Sequence, residues 1–426
     1  MQRVTLPDGM TVRRRGKKQP VKPASRTRPV AKPVEKKTKA PVVRLSRRPF
    51  FGSTAIDNRV QQLRLEGVAA AGNELAMPAF PIDFVFTYVQ DTPRLRAERL
   101  AYMKNATGDV SDNESNRYES HCELQFALRG VVMHLPWVRH VFLVIGDHED
   151  QHPTFLDKNQ QIRSMVYRLS PTIEMRVIKH SQIFRGSFAA DLPTYNSHAI
   201  ESHLHEIPGL SDAFIASNDD FFVSEPMPYT AFFTIDSWAR GGGTADGQSV
   251  PVISQNHFTS GILPVEKSPN MHKHGVAWVN NISTLRRMFP SEMKGARLRY
   301  QSHSPVPLFK SSMIELWRHP LTQPLLCRTS RAKVRSSTDL YFLGFLMYFN
   351  LFTLRGRPAE LHTTYLQLRT GMNFKLVAKR IVKQKPSTFC LNDSFSGQGR
   401  ASAFLAFSVN QFLQRYFPVV LSCERK

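Results

Sequence analysis

The densest chemistry in this 426-residue chain is Asn218-Asp219-Asp220, an amide and two adjacent carboxylates inside the apolar run Asp212–Val223. Burying two carboxylates is costly unless they are paired, protonated or bound to a cation. Hard oxygen donors of this kind suit Mg2+ or Mn2+, which often bridge to substrate phosphates. A polar turn capped by its own aspartates would explain the same residues without a metal.

A second concentration is "LPTYNSHAIESHLHEIPGL", Leu192–Leu210. Asn196, Ser197 or His198 can cap a helix there. His198, Glu201 and His205 recur at helical spacing and share one face. That face could serve acid–base work or substrate binding through His198 and Glu201, or it could simply be solvated. No third histidine or cysteine stands at a spacing that would complete a zinc site. His303, in the loop Ser302–Leu308 stiffened by Pro305 and Pro307, and Arg335 lie ahead of helices, where the default is a surface histidine and a surface cation. An arginine beside a helix start would also suit a bidentate grip on phosphate. Cys122, Cys327, Cys390 and Cys423 form no C-x-x-C pair and read as structural.

The elements that must position these residues alternate. Phe80–Asp91, Val138–Asp150, Glu174–Phe184 and Asp212–Val223 read as strands. Glu123–His134 and His198–Ile207 read as helices, the first stopping ahead of Pro136 and the second closed by Pro208-Gly209. Buried strands alternating with helices predict an α/β fold with a Rossmann-like, mainly parallel sheet. Ligands of such sheets collect at the carboxyl ends of strands, where Asp91, Asp147 and the Asn218 triplet would stand. Further on, Val276–Phe289, Phe309–Trp317 and Asp339–Leu354 read as helices, and Arg240–Ser249 as a glycine-rich loop.

The chain holds 57 Lys and Arg against 34 Asp and Glu, a net charge of +23. Residues 1–50 alone carry 16 basic residues against Asp8 and Glu35, a net of +14, with seven prolines. This divides the chain into a basic, Pro-rich, largely disordered tail over 1–78 and a folded body over 79–426, which holds all the candidate chemistry above. The tail's charge would suit an anionic membrane surface. Nothing in it suggests base recognition, so nucleic acid is disfavoured as a partner. Hydrophobic content of 41% excludes wholesale disorder. No signal sequence is visible, and Leu340–Leu354, at about 15 residues, falls short of the roughly 20 needed to span a bilayer. A cytoplasmic protein, or one peripheral on a membrane, is the default expectation.

Taken together, these segments resemble the Stealth family of sugar-phosphate transferases, which includes capsular polysaccharide phosphotransferases and GlcNAc-1-phosphotransferase. Four signature regions occur in order. They are "PIDFVFTYV" (Pro81–Val89), then Asn116–Val144 with Leu192–Leu210 and "SNDDFF" (Ser217–Phe222), then "HSPVPLFKSSMIELW" (His303–Trp317) with "KVRSSTD" (Lys333–Asp339), and finally "CLNDSF" (Cys390–Phe395) with Phe412–Glu424. The resemblance implies a UDP-sugar donor, an acceptor glycan or glycoprotein, a divalent metal and release of UMP. It places Asp83, Glu123, Arg129, Asn196, His198, Asn218 and Asp339 in substrate binding. It places Asp219 and Asp220 on the metal, and His303, Asp220, Glu201 and Arg335 in catalysis. Two segments depart from the family's usual pattern, at Tyr88, Gln90 and Asp91 and at Ser120, His121 and Cys122. Both are expected to help form the donor pocket. Two other readings predict different products. A metal-dependent glycosyltransferase would release UDP, and a non-enzymatic nucleic-acid or membrane-surface binder would release nothing.

Overall fold

The computed structural model describes residues 76–107, 122–234, 253–369, 373–393 and 400–425, with two short strands near the start. Those strands, β1 (Arg3–Thr5) and β2 (Thr11–Arg13), pair antiparallel within the unit Met1–Arg47. The rest of the tail expectation over 1–78 lies almost wholly outside the described residues. So do Asn116–His121 and the loop Arg240–Ser249.

The unit Arg48–Lys426 is built on a seven-stranded sheet. Its strands in chain order are β3 (Ile82–Thr87), β4 (His140–Ile145), β5 (Gln161–Arg163), β6 (Val166–Arg168), β7 (Glu174–Lys179), β8 (Ala213–Asn218) and β13 (Val306–Phe309). Helices cover both faces, so β3 and β4 are apolar on both sides. Phe84, Phe86 and Leu143 belong to one core, and Val85, Phe142 and Val144 to the other. This is why the central strands read as continuous apolar runs rather than alternating ones.

The strands lie in the order β13-β8-β3-β4-β7-β6-β5. Strands β8, β3, β4 and β7 are mutually parallel, while β13 and the β5–β6 hairpin are antiparallel additions at the two edges. Chain order therefore runs outward from β3 to β7 and then reverses to β8. That is a Rossmann-type arrangement, and the reversal between β3 and β8 is its topological switch point.

Two sequence expectations need correction. Asp212–Val223 is not one interrupted strand. β8 ends at Asn218, Asp219-Asp220 form a turn, and β9 (Phe221–Val223) joins a second sheet. That sheet has the order β15-β16-β9, with β15 spanning Thr363–Leu368 and β16 Thr388–Asp393; β10 (Phe233–Thr234), β11 (Ile253–Ile262), β12 (Arg299–Gln301) and β14 (Gly356–Ala359) form a third. The proline-stiffened loop after His303 is instead the edge strand β13, paired antiparallel with β8. Proline costs least on an edge, where its missing N–H faces no partner.

Helix Glu123–His134 crosses β9 at close range. A Cβ on Gly130 would stand 2.6 Å from the Val223 carbonyl oxygen, so only glycine allows this approach. The apolar stretch near residue 345 is the helix Phe342–Phe352, buried in the second core. Among the described residues, no helix is long and apolar enough to cross a membrane.

Candidate functional site at the switch point

Thr87 and Asn218, the last residues of β3 and β8, are register partners at the carboxyl end of the switch point. A small cavity opens beside them, lined by Thr87, Glu201, Asn218, Phe221, Gln301 and Tyr341 among others. Its volume of about 30 Å3 holds about one water molecule. It can therefore serve only as the polar floor of a site, not as a chamber for a nucleotide.

The Asp219-Asp220 turn follows directly. Asp219 is held well above the usual carboxylate range, first by burial and then by the charges of Asp220 and Glu123. Glu123 is the buried first residue of its helix. The Asp220 carbonyl accepts from Leu391 N at 3.2 Å, and Cys390 Sγ donates to Asp220 Oδ2 at 3.4 Å. The Cys390 thiol is itself pushed up by burial and by Asp220. His303, in the loop before β13, packs beside the strand that leaves this turn. Its ring lies 6.1 Å from that of Phe221 and 4.3 Å from that of Tyr365. It is solvent-accessible, yet the surrounding protein lowers its pKa, so the imidazole is neutral at pH 7.

Several negative groups converging on one turn form a place that a cation would stabilise. Two carboxylates from adjacent residues fit the oxygen chemistry of Mg2+ or Mn2+. Among the described residues, no group of three or more His, Cys, Asp or Glu is arranged to hold a metal ion. Asp219 and Asp220 could thus supply only part of a coordination shell. That is usual for Mg2+, which keeps waters and takes substrate phosphate oxygens.

A second cluster lies on the helical side of the cavity. Asn196 caps the helix Ser197–Ser202 by accepting from His198 N. Asp339 is buried, and its Oδ2 accepts from Asn196 Nδ2 at 2.9 Å and Ser336 N at 3.0 Å. His198 Nδ1 lies 3.1 Å from the same oxygen, and His198 Nε2 lies 3.0 Å from His274 Nδ1. Burial raises the Asp339 carboxyl to about 6 despite these donors. Arg335 Nη2 donates to Ser197 Oγ at 2.8 Å, so the Lys333–Asp339 segment is fastened to the start of that helix. Glu201 reaches the cavity from the same helix. Tyr341 joins the clusters: its ring packs on His198 and His274, and its hydroxyl donates to Gln301 Oε1 at 2.8 Å.

Two expected substrate-binding residues stand elsewhere. Asp83 is at the amino end of β3, opposite the switch point. Arg139 grips it at 2.9 and 2.6 Å, and Ser211 N donates to it at 2.7 Å. Arg129 is buried against Glu424, with Nε donating to Oε1 at 2.7 Å and Nη1 to the Phe417 carbonyl at 3.0 Å. Both tie the fold together where the structure places them. Sequence reasoning missed His274, Tyr365, Tyr341 and Glu424, and it read Cys390 only as structural. The available signals were weak: Cys390 and Glu424 fall in the C-terminal motif, while His274 and Tyr365 sit in no recognisable pattern.

The fold and site define a Rossmann-like α/β protein with an acidic turn at its switch point. Residues 117–240 match the family model described as Stealth protein CR2, conserved region 2. An exopolysaccharide phosphotransferase of Streptomyces coelicolor is 30% identical, over 92% of this chain and 60% of its own length. Capsular polysaccharide phosphotransferases of Haemophilus influenzae and of Neisseria meningitidis serogroup B are 27% and 28% identical. Those matches cover 86% and 82% of this chain, and 92% and 86% of the relatives. The chain thus matches the Stealth family in that region and is similar to these polysaccharide phosphotransferases over most of its length. It spans about 60% of the length of the Streptomyces relative.

Proposed function

We propose that this chain transfers a sugar-1-phosphate from a UDP-sugar to a hydroxyl of an acceptor glycan, releasing UMP, in polysaccharide synthesis. N-acetylglucosamine-1-phosphate, or another hexose-1-phosphate, is the unit moved. The relatives' names support the class of reaction. The observation that carries the reading is the Asp219-Asp220 turn at the β3/β8 switch point, with neutral His303 packed on Phe221, the next residue.

The acceptor oxygen attacks the phosphorus bearing the sugar. The bond from that phosphorus to the bridging oxygen breaks, and UMP leaves with the bridging oxygen. His303 takes the hydroxyl proton, a role for which a neutral imidazole is suited. Asp219 and Asp220 would hold Mg2+ or Mn2+, which would neutralise charge on the diphosphate. Arg335, fixed by Ser197, adds positive charge on the other side. Glu201 and Asn218 line the floor, and Asn196, His198 and Asp339 keep the Arg335 segment in place.

The test is to incubate the protein with a panel of UDP-sugars and Mg2+ or Mn2+ and identify the released nucleotide. UMP is expected, and UDP would mean glycosyl transfer instead. Losses below about tenfold for both Asp220→Ala and His303→Ala would remove this site from the chemistry, since a positioned acid–base group contributes about 10²–10⁴.

A further inference from the structure

Among the described residues, Tyr365 is one of the few large apolar side chains left exposed, at 45%. It is set beside the acidic turn by register rather than by chance contact. Tyr365 on β15 pairs with Cys390 on β16, and Cys390 pairs with Phe221 on β9. Directly paired residues share a sheet face. The opposite face of this sheet, with Phe222, Phe389 and Leu391, is sunk in the first core. The Tyr365–Cys390–Phe221 row therefore lies on the other face, where Cys390 and Phe221 are buried and Tyr365 alone of the three reaches solvent, and each member touches the site. Cys390 donates to Asp220, while Tyr365 and Phe221 both pack on His303. Two residues along the strands, Gln367 and Asn392 are also register partners on the face that carries Tyr365. Gln367 is exposed and Asn392 half-buried.

An open aromatic ring flanked by amide side chains has the composition of a sugar subsite. The ring packs on the apolar C–H face of a pyranose, and amides bond its hydroxyls. We propose that Tyr365, with Gln367 and Asn392, is the platform for the acceptor pyranose whose hydroxyl is presented to His303. This rests on the transfer reaction proposed above. The acceptor, rather than the donor's uracil, is favoured because the ring touching Tyr365 is His303, the group that must meet the acceptor hydroxyl.

Two measurements test it on the full chain. In saturation-transfer NMR with methyl glycosides of glucose, galactose and N-acetylglucosamine, at least one should bind the wild type and lose at least tenfold in affinity in Tyr365→Ala. Tyr365→Trp should recover most of that affinity, because it keeps an aromatic face. In turnover with UDP-N-acetylglucosamine and that glycoside, Tyr365→Ala should raise the acceptor KM at least tenfold and the donor KM less than threefold. The proposal is overturned if no glycoside binds the wild type, if Tyr365→Ala binds as well as wild type, or if the donor KM carries the change. Binding that depends on Tyr365 without any UMP release would leave the platform standing and count against the transfer reaction instead.

Discussion

Replacing Glu424 by leucine should destabilise the protein by ~3–5 kcal/mol, the usual cost of stranding one partner of a buried ion pair. The pair is well shielded, with the Arg129 and Glu424 side chains only 8% and 3% exposed. Glu424 also accepts from Gln125 Nε2 at 2.5 Å and Leu421 N at 3.1 Å, so its loss leaves three partners without their acceptor. Arg129 would keep only the Phe417 carbonyl for a buried guanidinium. Arg129→Leu should cost about as much, because it strands the carboxylate. The double variant strands no charge and should cost less than either single change. Urea denaturation of all four proteins, followed by tryptophan fluorescence, measures the cycle. Single-variant costs below ~1 kcal/mol, or a double-variant cost equal to the sum of the singles, would refute the assignment of Arg129 to the fold. The consequence reaches the site, because this pair secures the helix whose first residue, Glu123, acts on Asp219.

Asp219→Asn should abolish metal-dependent UMP release, yet raise the melting temperature of the metal-free protein at pH 7. A carboxyl held above its ordinary range penalises the folded state once ionised, and asparagine removes that penalty. An unchanged or lower melting temperature would contradict the crowding of charge at the turn. His303 has a lowered pKa, so the acid limb of kcat/KM should lie below pH 6.5, and His303→Gln should remove it with a loss of about 10²-fold or more. Burial holds His180, His205 and His257 at about 4 and His203 at about 3. These groups stay neutral in the fold and take up protons near 6.5 when unfolded. Their stability contribution is therefore present above pH 6.5 and lost as pH falls toward 4. The urea midpoint should fall over that window, with a shallower slope in His203→Phe.

Much of the scaffold was legible because local rules and tertiary packing agree there. Glu123–His134 is helical over the span its apolar spacing implies, and β3 and β4 fall within their apolar runs. Pro305 and Pro307 misled because proline signals a break only when a strand is internal, and β13 is an edge. The Asn218-Asp219-Asp220 triplet was legible as chemistry, but not as the corner where the chain leaves one sheet for another. That corner depends on β16, some 170 residues downstream. Arg129 and Asp83 show the reverse limit. The resemblance placed both in substrate binding, but only tertiary structure reveals that Glu424 and Arg139 already hold them. Tyr365 and His274 were invisible because neither belongs to a spacing pattern, and each gains meaning only from a ring across the site.

The central claim concerns which bond breaks, so the fate of the phosphorus next to the sugar decides it. UDP-N-acetylglucosamine, or whichever UDP-sugar the panel selects, labelled with 32P at the β-phosphate, would be incubated with the protein, a divalent cation and the acceptor. Sugar-phosphate transfer moves the label into the glycan as a phosphodiester and leaves UMP unlabelled. Label retained in UDP, with an unlabelled glycan product, would contradict the account.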